Sequence, residues 1–578
     1  MKHTLLVILL SIASLGSSMA NVVYQKSGPH NMHIRVEGDY RYLLLPIGDK
    51  THEYRVQLIE NNQLHRSLII RLANEGEIDY YVPLDLQGID LDAFHLDVRY
   101  GNEPIAWDKI QAVNSYDASN TDYYRPIFHH TPQWGWMNDP NGMFYDEQKG
   151  LWHLYYQHNP YASTWQNMTW GHSTSKDLLH WKHQPLALEV DANGAIFSGS
   201  CVVDKHNTAG FGKNAVVAFY TTAAESQNQS MAYSLDGGQT FTKYPGNPIM
   251  VDEIPDFRDP KVWWNEQTSE WNMALACGQE MRFYGSANLK DWTFLSAFGE
   301  GVGCHGGVWE CPDLMHVPVR GTNEYKWVLL CNINPGGPFG GSATQYFVGD
   351  WDGKQFTPLY ENGEVLTKWM DYGKDHYATV SFAHAPQNRN TVIVWMSNWQ
   401  YANDVPTMQF RSANALPRDI DLYRDSEGIY RLGIKVAPEV AALKGELVKA
   451  GSKNVKPLAE TAVIEVEVTA TKRPATITFS NAKGEKVVMT YDFQAQTFSM
   501  DRTQSGLSQF SRDFAVKTTT PLFVKSKKHS VTIYLDKCSV EAFDKQGHWA
   551  MTNLVFPTEP YSQVEVIGGK VNVYSINY

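Results

Sequence analysis

The chain has 578 residues, 43% apolar and 19% charged, so it folds as a globular protein with room for several domains. A net charge of −13 and the lack of any Lys/Arg cluster exclude an electrostatic nucleic-acid binder. Six cysteines in so long a chain form no disulfide framework, and their spacing matches no zinc pattern.

Residues 1–20 read as an export signal. Lys2 and His3 precede the apolar run from Thr4 to Leu15, and Ser18-Met19-Ala20 gives a small-x-small cleavage site. The expected destination is periplasmic or extracellular. The run is too short to span a bilayer, and no later segment is long and apolar enough to do so.

Residues 21–118 read as a small β domain, with strands expected at Tyr40–Leu45, Glu53–Leu58, Leu68–Leu72 and Ala93–Val98. A polar linker follows, from Asn114 to Asp122.

Residues 123–432 carry a weak internal repeat. Ser175–Trp181, Ser234–Phe241, Ser286–Trp292 and Gly349–Phe356 each end a strand, turn on an Asp or Asn, and resume at an aromatic. Hairpins recurring about every 50–60 residues are the mark of propeller blades, and the segment holds about five. Ile434 to Lys444, containing Pro438-Glu-Val-Ala-Ala-Leu, reads as a short helical connector. From 446 to 578, evenly spaced strands predict a β-sandwich closed by Val571 to Tyr578. The expected fold is therefore all-β: a small N-terminal β domain, a five-bladed β-propeller and a C-terminal β-sandwich.

Inner strands of a propeller face one channel, so acids at matching places in successive repeats can meet. Asp139, Asp259 and Glu310 all fall early in a repeat, ahead of its hairpin. Glycoside hydrolysis needs such carboxylates on both faces of the sugar. Singly, each has a plainer explanation. Trp136-Met137-Asn138-Asp139-Pro140-Asn141-Gly142 contains a turn signal, and Arg258-Asp259 suits an ion pair. Trp309-Glu310-Cys311-Pro312 sets a Glu among apolar neighbours, which favours the protonated acid, although a Glu held by an Arg is as common.

In this order the three segments resemble the nucleophile, Arg-Asp-Pro and Glu-Cys motifs of glycoside hydrolase family 32, the invertases, inulinases and levanases. Tyr155-Tyr156-Gln157-His158-Asn159-Pro160, Trp165, Trp170-Gly171-His172, Phe197-Ser198-Gly199-Ser200, Asp371-Tyr372-Gly373 and Trp395–Trp399 extend the resemblance. Ser539–Phe543 is similar to the family's accessory sandwich.

The resemblance implies a five-bladed propeller, a sandwich, and a retaining β-fructosidase acting on levan, inulin or sucrose, with no cofactor or metal. It implies Asp139 as nucleophile, Glu310 as acid/base, and Asp259 as an ionised transition-state stabiliser kept charged by Arg258. Asn138, Gln157, Trp165, Phe197 and Ser198 would wall the fructose pocket and Arg258 would join them in binding substrate, while Asp371, structural and not chemical, would support that wall. Arg258 and Asp259 are adjacent, and adjacent strand residues point oppositely, so both facing the site is not guaranteed.

The expected mode is exo. Endo cleavage and fructosyl transfer use the same carboxylates, and a non-catalytic fructan-binding protein would lack one of them. The sequence leaves the duty of residues 21–118 and a Cys304–Cys311 bridge open. His129, His130, His153, His158 and His172 show no metal-ligand spacing. His305 reads as a loop residue.

Overall fold

The computed structural model describes residues 21–451 and 455–578. The expected export signal lies outside the described residues. No described helix is long and apolar enough to cross a membrane. The chain divides into two compact units, 1–117 and 118–578.

The N-terminal unit has two antiparallel sheets. One runs Val22–Gly28, Asn31–Val36, Phe94–Arg99, Tyr54–Glu60, Gln63–Ile70 in spatial order; the other runs Tyr80–Asp85, Tyr42–Ile47, Gln111–Val113. Alternate residues such as Ile34, Leu96, Leu58 and Leu68, or Leu43, Leu45, Val82 and Leu84, are fully buried. This is the period-two pattern of sheets with one buried face. The strands at Val22, Asn31 and Tyr80 were not among those expected; the first two carry too many charged and polar residues to read as strands.

The second unit is a propeller joined to a sandwich. Blades I to IV start with Gly135–Asp146, Ala195–Asp204, Phe257–Asn265 and Val308–Pro318, and each runs outward through three further antiparallel strands. Blade V starts with Tyr377–Ser381 and continues through Thr391–Met396, Arg418–Arg424 and Tyr430–Val436. The first strands pack in a closed ring, blade V returning to blade I.

The repeated hairpins are the turns into the outermost strands. Asp177, Asp236 and Asn288 each accept two backbone N–H bonds from the residues after them. In blade IV the turn residue is Asp352, which accepts the N–H groups of Lys354 and Gln355. Blade V turns likewise on Asp425, which accepts the N–H groups of Glu427 and Ile429 ahead of Tyr430, and a long insertion separates its second and third strands. From that insertion Phe410–Arg411 pairs in parallel with Gly135–Trp136 of blade I. Pro438–Leu443 forms a short 3-10 helix of two turns.

The sandwich has two six-stranded sheets around a core including Ile464, Phe479, Tyr491 and Trp549. Gly569–Ile576 is an interior strand, between Lys444–Gly451 and Ala462–Thr469. One apolar cluster runs from the propeller (Met143, Leu330, Ile420) into the sandwich (Val463, Tyr534, Phe543), so these two parts share a core. All six cysteines are free, and no Cys304–Cys311 bridge forms.

Candidate active site

Every first strand breaks register at the same place. Asn138 and Asp139 face the single residue Gln157; in blades II to V the bulged pairs are Phe197–Ser198, Asp259–Pro260, Cys311–Pro312 and Ala378–Thr379. A bulge puts two residues opposite one, bends the strand and re-aims its side chains. Asp259, Cys311 and Ala378 take positive φ of 62°, 43° and 54°, backbone that costs on the order of 1 kcal/mol or more each for a non-glycine residue. The bulge answers the question of neighbours pointing oppositely: Arg258 and Asp259 both reach the channel.

Side chains fix these bends. Thr221 Oγ1 accepts the Asp259 N–H at 3.1 Å and donates to Gln229 Oε1 at 2.7 Å. Gln229 Nε2 in turn donates to the Phe257 carbonyl at 2.8 Å. Gln157 is buried and donates to the Ile196 carbonyl at 2.9 Å, tying blade I to the bulge of blade II. Asn138 accepts from Trp136 Nε1 at 2.8 Å. Gly142, at φ 52°, lets Trp170 pack behind the site, where a Cβ would come within 2.7 Å of the ring.

The three carboxylates meet around Cys311. Its Sγ lies 3.5 Å from Asp139 Oδ2 and 3.7 Å from Asp259 Oδ2, and its N–H donates to Asp259 Oδ2 at 3.1 Å. Ser198 Oγ donates to Asp139 Oδ2 at 2.7 Å. Glu310 Oε1 accepts from Arg258 Nη2 at 2.9 Å and Nε at 3.3 Å, while Tyr377 Oη donates to Oε2. Arg258, Glu310 and Tyr377 occupy the same register position, just before the bulge, in blades III, IV and V.

Asp139 is held above the ordinary carboxylate range by burial and by Glu310, with Ser198, Asn138 and Cys311 opposing. Burial pushes Asp259 up to about 7; Arg258 works against this, while Glu310 and Asp139 add to it. This corrects two expectations. Burial holds the Asp259 carboxyl above the ordinary carboxylate range despite Arg258, and Arg258 is not chiefly its partner. Arg258 Nε stays 3.7 Å from Asp259, while the guanidinium bonds Glu310 and, through Nη1, Asp256 at 2.6 Å. Glu310 correspondingly sits in a polar pair and not among apolar neighbours.

Trp165 and Phe197 meet edge to face at 6.0 Å and flank a cavity of about 320 Å³ that reaches Gln227. Gln227 Oε1 accepts from Arg258 Nη1 at 3.2 Å, which connects that cavity to the carboxylates.

Other candidates are structural. Asp371 does not support the pocket wall: it is buried, bonded to Arg418 at 2.8 Å and to the N–H of Thr552 in the sandwich at 2.9 Å. His305 bonds the carbonyls of Gly299 and Val302 and stacks on Trp309. His129 pairs with Asp536 and Glu541, His130 with Asn414, His153 with His172, and His158 with the Trp136 carbonyl. Sequence reasoning missed Tyr377, Cys311 as a site residue, and Thr221. The bulge register would have found Tyr377, but only strand pairing reveals it.

Carboxylates projecting from three blades into one channel, beside an aromatic-walled cavity, define a glycosidase. Residues 129–431 match the N-terminal domain of glycosyl hydrolases family 32, and residues 439–578 match that family's C-terminal domain. Residues 28–128 match a domain of unknown function. A levanase of Bacillus subtilis is 42% identical over 489 residues, 80% of this chain and 72% of that protein. An extracellular exo-inulinase of Aspergillus niger is 36% identical over 75% of this chain and 90% of its own length. The crystal structure of exo-inulinase from Aspergillus awamori superposes with a TM-score of 0.75 at 33% identity, covering 80% of this chain and 99% of that one. A fructofuranosidase from Schwanniomyces occidentalis complexed with fructose gives 0.72 at 33% identity, covering 80% of this chain and all of that one. The chain belongs to glycosyl hydrolase family 32.

Proposed function

We propose that this glycosidase is an exported exo-β-fructosidase that removes terminal fructose from levan or inulin by retaining double displacement. The gathering of Asp139, Asp259 and Glu310 around Cys311 carries the reading. The names of the relatives, levanase and extracellular exo-inulinase, supply the substrate class and the extracellular setting.

Asp139 attacks the anomeric carbon as the glycosidic bond breaks, giving a covalent fructosyl–enzyme. Glu310 passes its proton to the leaving oxygen, then takes one from the water that releases fructose. Arg258 and Tyr377 fix the orientation of Glu310. Asp259 accepts hydrogen bonds from sugar hydroxyls, which favour its charged form and stabilise the oxocarbenium-like transition state. Trp165 and Phe197 border the entrance, and Ser198 holds Asp139.

The test is product analysis with levan and inulin, sampled in the first minutes. Fructose alone is expected. A ladder of oligosaccharides would replace exo with endo cleavage, fructosylated acceptors would make the protein a transferase, and no product would leave a binding protein.

A further inference from the structure

The N-terminal unit carries a ligand set that the hydrolase chemistry does not use. His33 lies in the strand Asn31–Val36, and His95 and Asp97 lie two residues apart in Phe94–Arg99. The two strands are antiparallel neighbours, with His33 directly opposite Asp97. Residues two apart share a sheet face, and directly opposed residues have Cβ atoms about 5 Å apart, so all three side chains stand on one face. It is the face opposite buried Ile34, Leu96 and Val98.

Their donor atoms lie within 4.8 Å of one another, and this is the sole such group among the described residues. The imidazoles of His33 and His95 stack at 5.0 Å. His33 Nε2 is 2.7 Å from Asp97 Oδ1, yet Oδ1, shut off from solvent, accepts no hydrogen bond among the described residues. A shielded carboxylate oxygen whose near neighbour His33 Nε2 makes no aligned hydrogen bond to it, beside two imidazoles, is an arrangement that a cation completes. The His33 side chain keeps 39% of its surface exposed, so an ion has a way in.

We propose that His33, His95 and Asp97 bind one borderline divalent transition-metal ion, with Zn2+ as the representative. Two nitrogens and one carboxylate oxygen fit Zn2+ and disfavour Ca2+ and Mg2+, which take oxygen ligands. Zn–N and Zn–O bonds of about 2.0–2.2 Å require the donors to close to roughly 3.3 Å, a side-chain adjustment that leaves the strand pairing intact. Three protein ligands leave the fourth tetrahedral position to water or an incoming ligand. In the same register row Gln25 lies opposite His33, and Gln57 lies opposite Asp97 on its other side, so uncharged amides flank the row. The ligands come from two strands more than sixty residues apart in sequence, which is why no local spacing betrayed them.

The chain has 20 His, so the experiment compares variants. Tag-free, chelator-stripped full-length protein is titrated with Zn2+ against a chromophoric chelator. One tight Zn2+ per chain is expected, unaffected by excess Ca2+. His33→Ala, His95→Ala and Asp97→Asn should each weaken it by more than about tenfold, with the metal-free Tm unchanged. Wild-type affinity in all three variants, or no stoichiometric binding by the wild type, overturns the proposal. If a variant fails to fold, anomalous scattering at the zinc edge from Zn2+-soaked wild-type crystals decides. A peak between the three side chains supports the site, and its absence there overturns it.

Discussion

The chain buries carboxylates in two places and treats them in opposite ways. At the seam between propeller and sandwich, Asp371, Asp536 and Glu541 are buried, and every one of their oxygens accepts a hydrogen bond. Their burial penalty is overridden by nearby His376 and Arg418 and backbone N–H groups for Asp371, by hydrogen-bonded His129 for Asp536, and by hydrogen-bonded His129 together with Arg418 for Glu541. All three are held below the ordinary carboxylate range. In the channel, Arg258 bonds Glu310 and stays 3.7 Å from Asp259, Asp139 Oδ1 accepts no hydrogen bond among the described residues, and Asp139 and Asp259 are pushed up. The seam is electrostatics arranged for stability. The channel is left short of partners and built on strained bulges, the state a site holds when substrate is meant to complete it.

Substitutions that remove charge should therefore separate the two regions. The largest effect is expected from Asp139→Asn: turnover on fructan falls by about 10⁴-fold or more, since no carboxylate is left to attack. The Tm should hold or rise, because a buried, incompletely bonded charge is gone. Near-wild-type turnover from pure variant protein would break the contrast at its functional end. Arg418→Met is the counterpart at the seam. It leaves Asp371 and Glu541 without their shared guanidinium and should cost about 3–5 kcal/mol, read as a Tm drop of more than about 5 °C. The KM of the protein that remains folded should change little. An unchanged Tm would mean that the seam cluster contributes no net stability.

The propeller was legible because its turns are local: a Ser, an Asp or Asn and an aromatic recur within a few residues, as at Ser234–Phe241. The three acids were legible because each precedes its own hairpin. What made them a site was not. The bulge at Asp259 depends on Thr221 and Gln229, residues of another blade. Tyr377 comes from blade V, whose hairpin at Asp425 was not among the four repeats read from the sequence. The surroundings of Arg258 were misjudged because adjacency in sequence puts Asp259 beside it, whereas the bulge turns its guanidinium toward Glu310 and Asp256. Glu541 stood within a recognised sandwich motif, but its duty, bonding His129 and Arg418 of the propeller, depends on how two folded parts meet.

The contrast also has a pH signature, opposite in sign for the two regions. Asp259 is raised from 3.8 to about 7 in the folded protein. Keeping it ionised opposes folding: the cost is absent below pH 3.8, grows up to about 7 and is constant above. Asp259→Asn should therefore raise stability at pH 8 by an amount on the order of 2 kcal/mol, read as a higher Tm, and raise it much less at pH 5. Activity should fall at both. A gain that did not shrink on acidification would mean that the burial of Asp259 is not what strains the channel.

His129 gives the smallest and most diagnostic effect. Burial alone would push its imidazole down, but the hydrogen bonds it donates to Asp536 and Glu541 win and hold it at about 9, above the ordinary 6.5. A base raised on folding contributes stability that is fully present below pH 6.5 and is lost as pH rises through 9. His129→Gln keeps a hydrogen-bonding side chain without the charge. It should lower stability at pH 6 by an amount on the order of 1–2 kcal/mol, read as a clear drop in Tm, and by little at pH 9.5. The two Tm differences thus move in opposite directions along the pH axis: removing the channel acid helps most in alkali, and removing the seam base hurts most in mild acid. If the His129→Gln penalty were the same at both pH values, the imidazole would be acting only as a neutral hydrogen-bonding spacer. The seam would then owe its low carboxylates to Arg418 and the backbone alone.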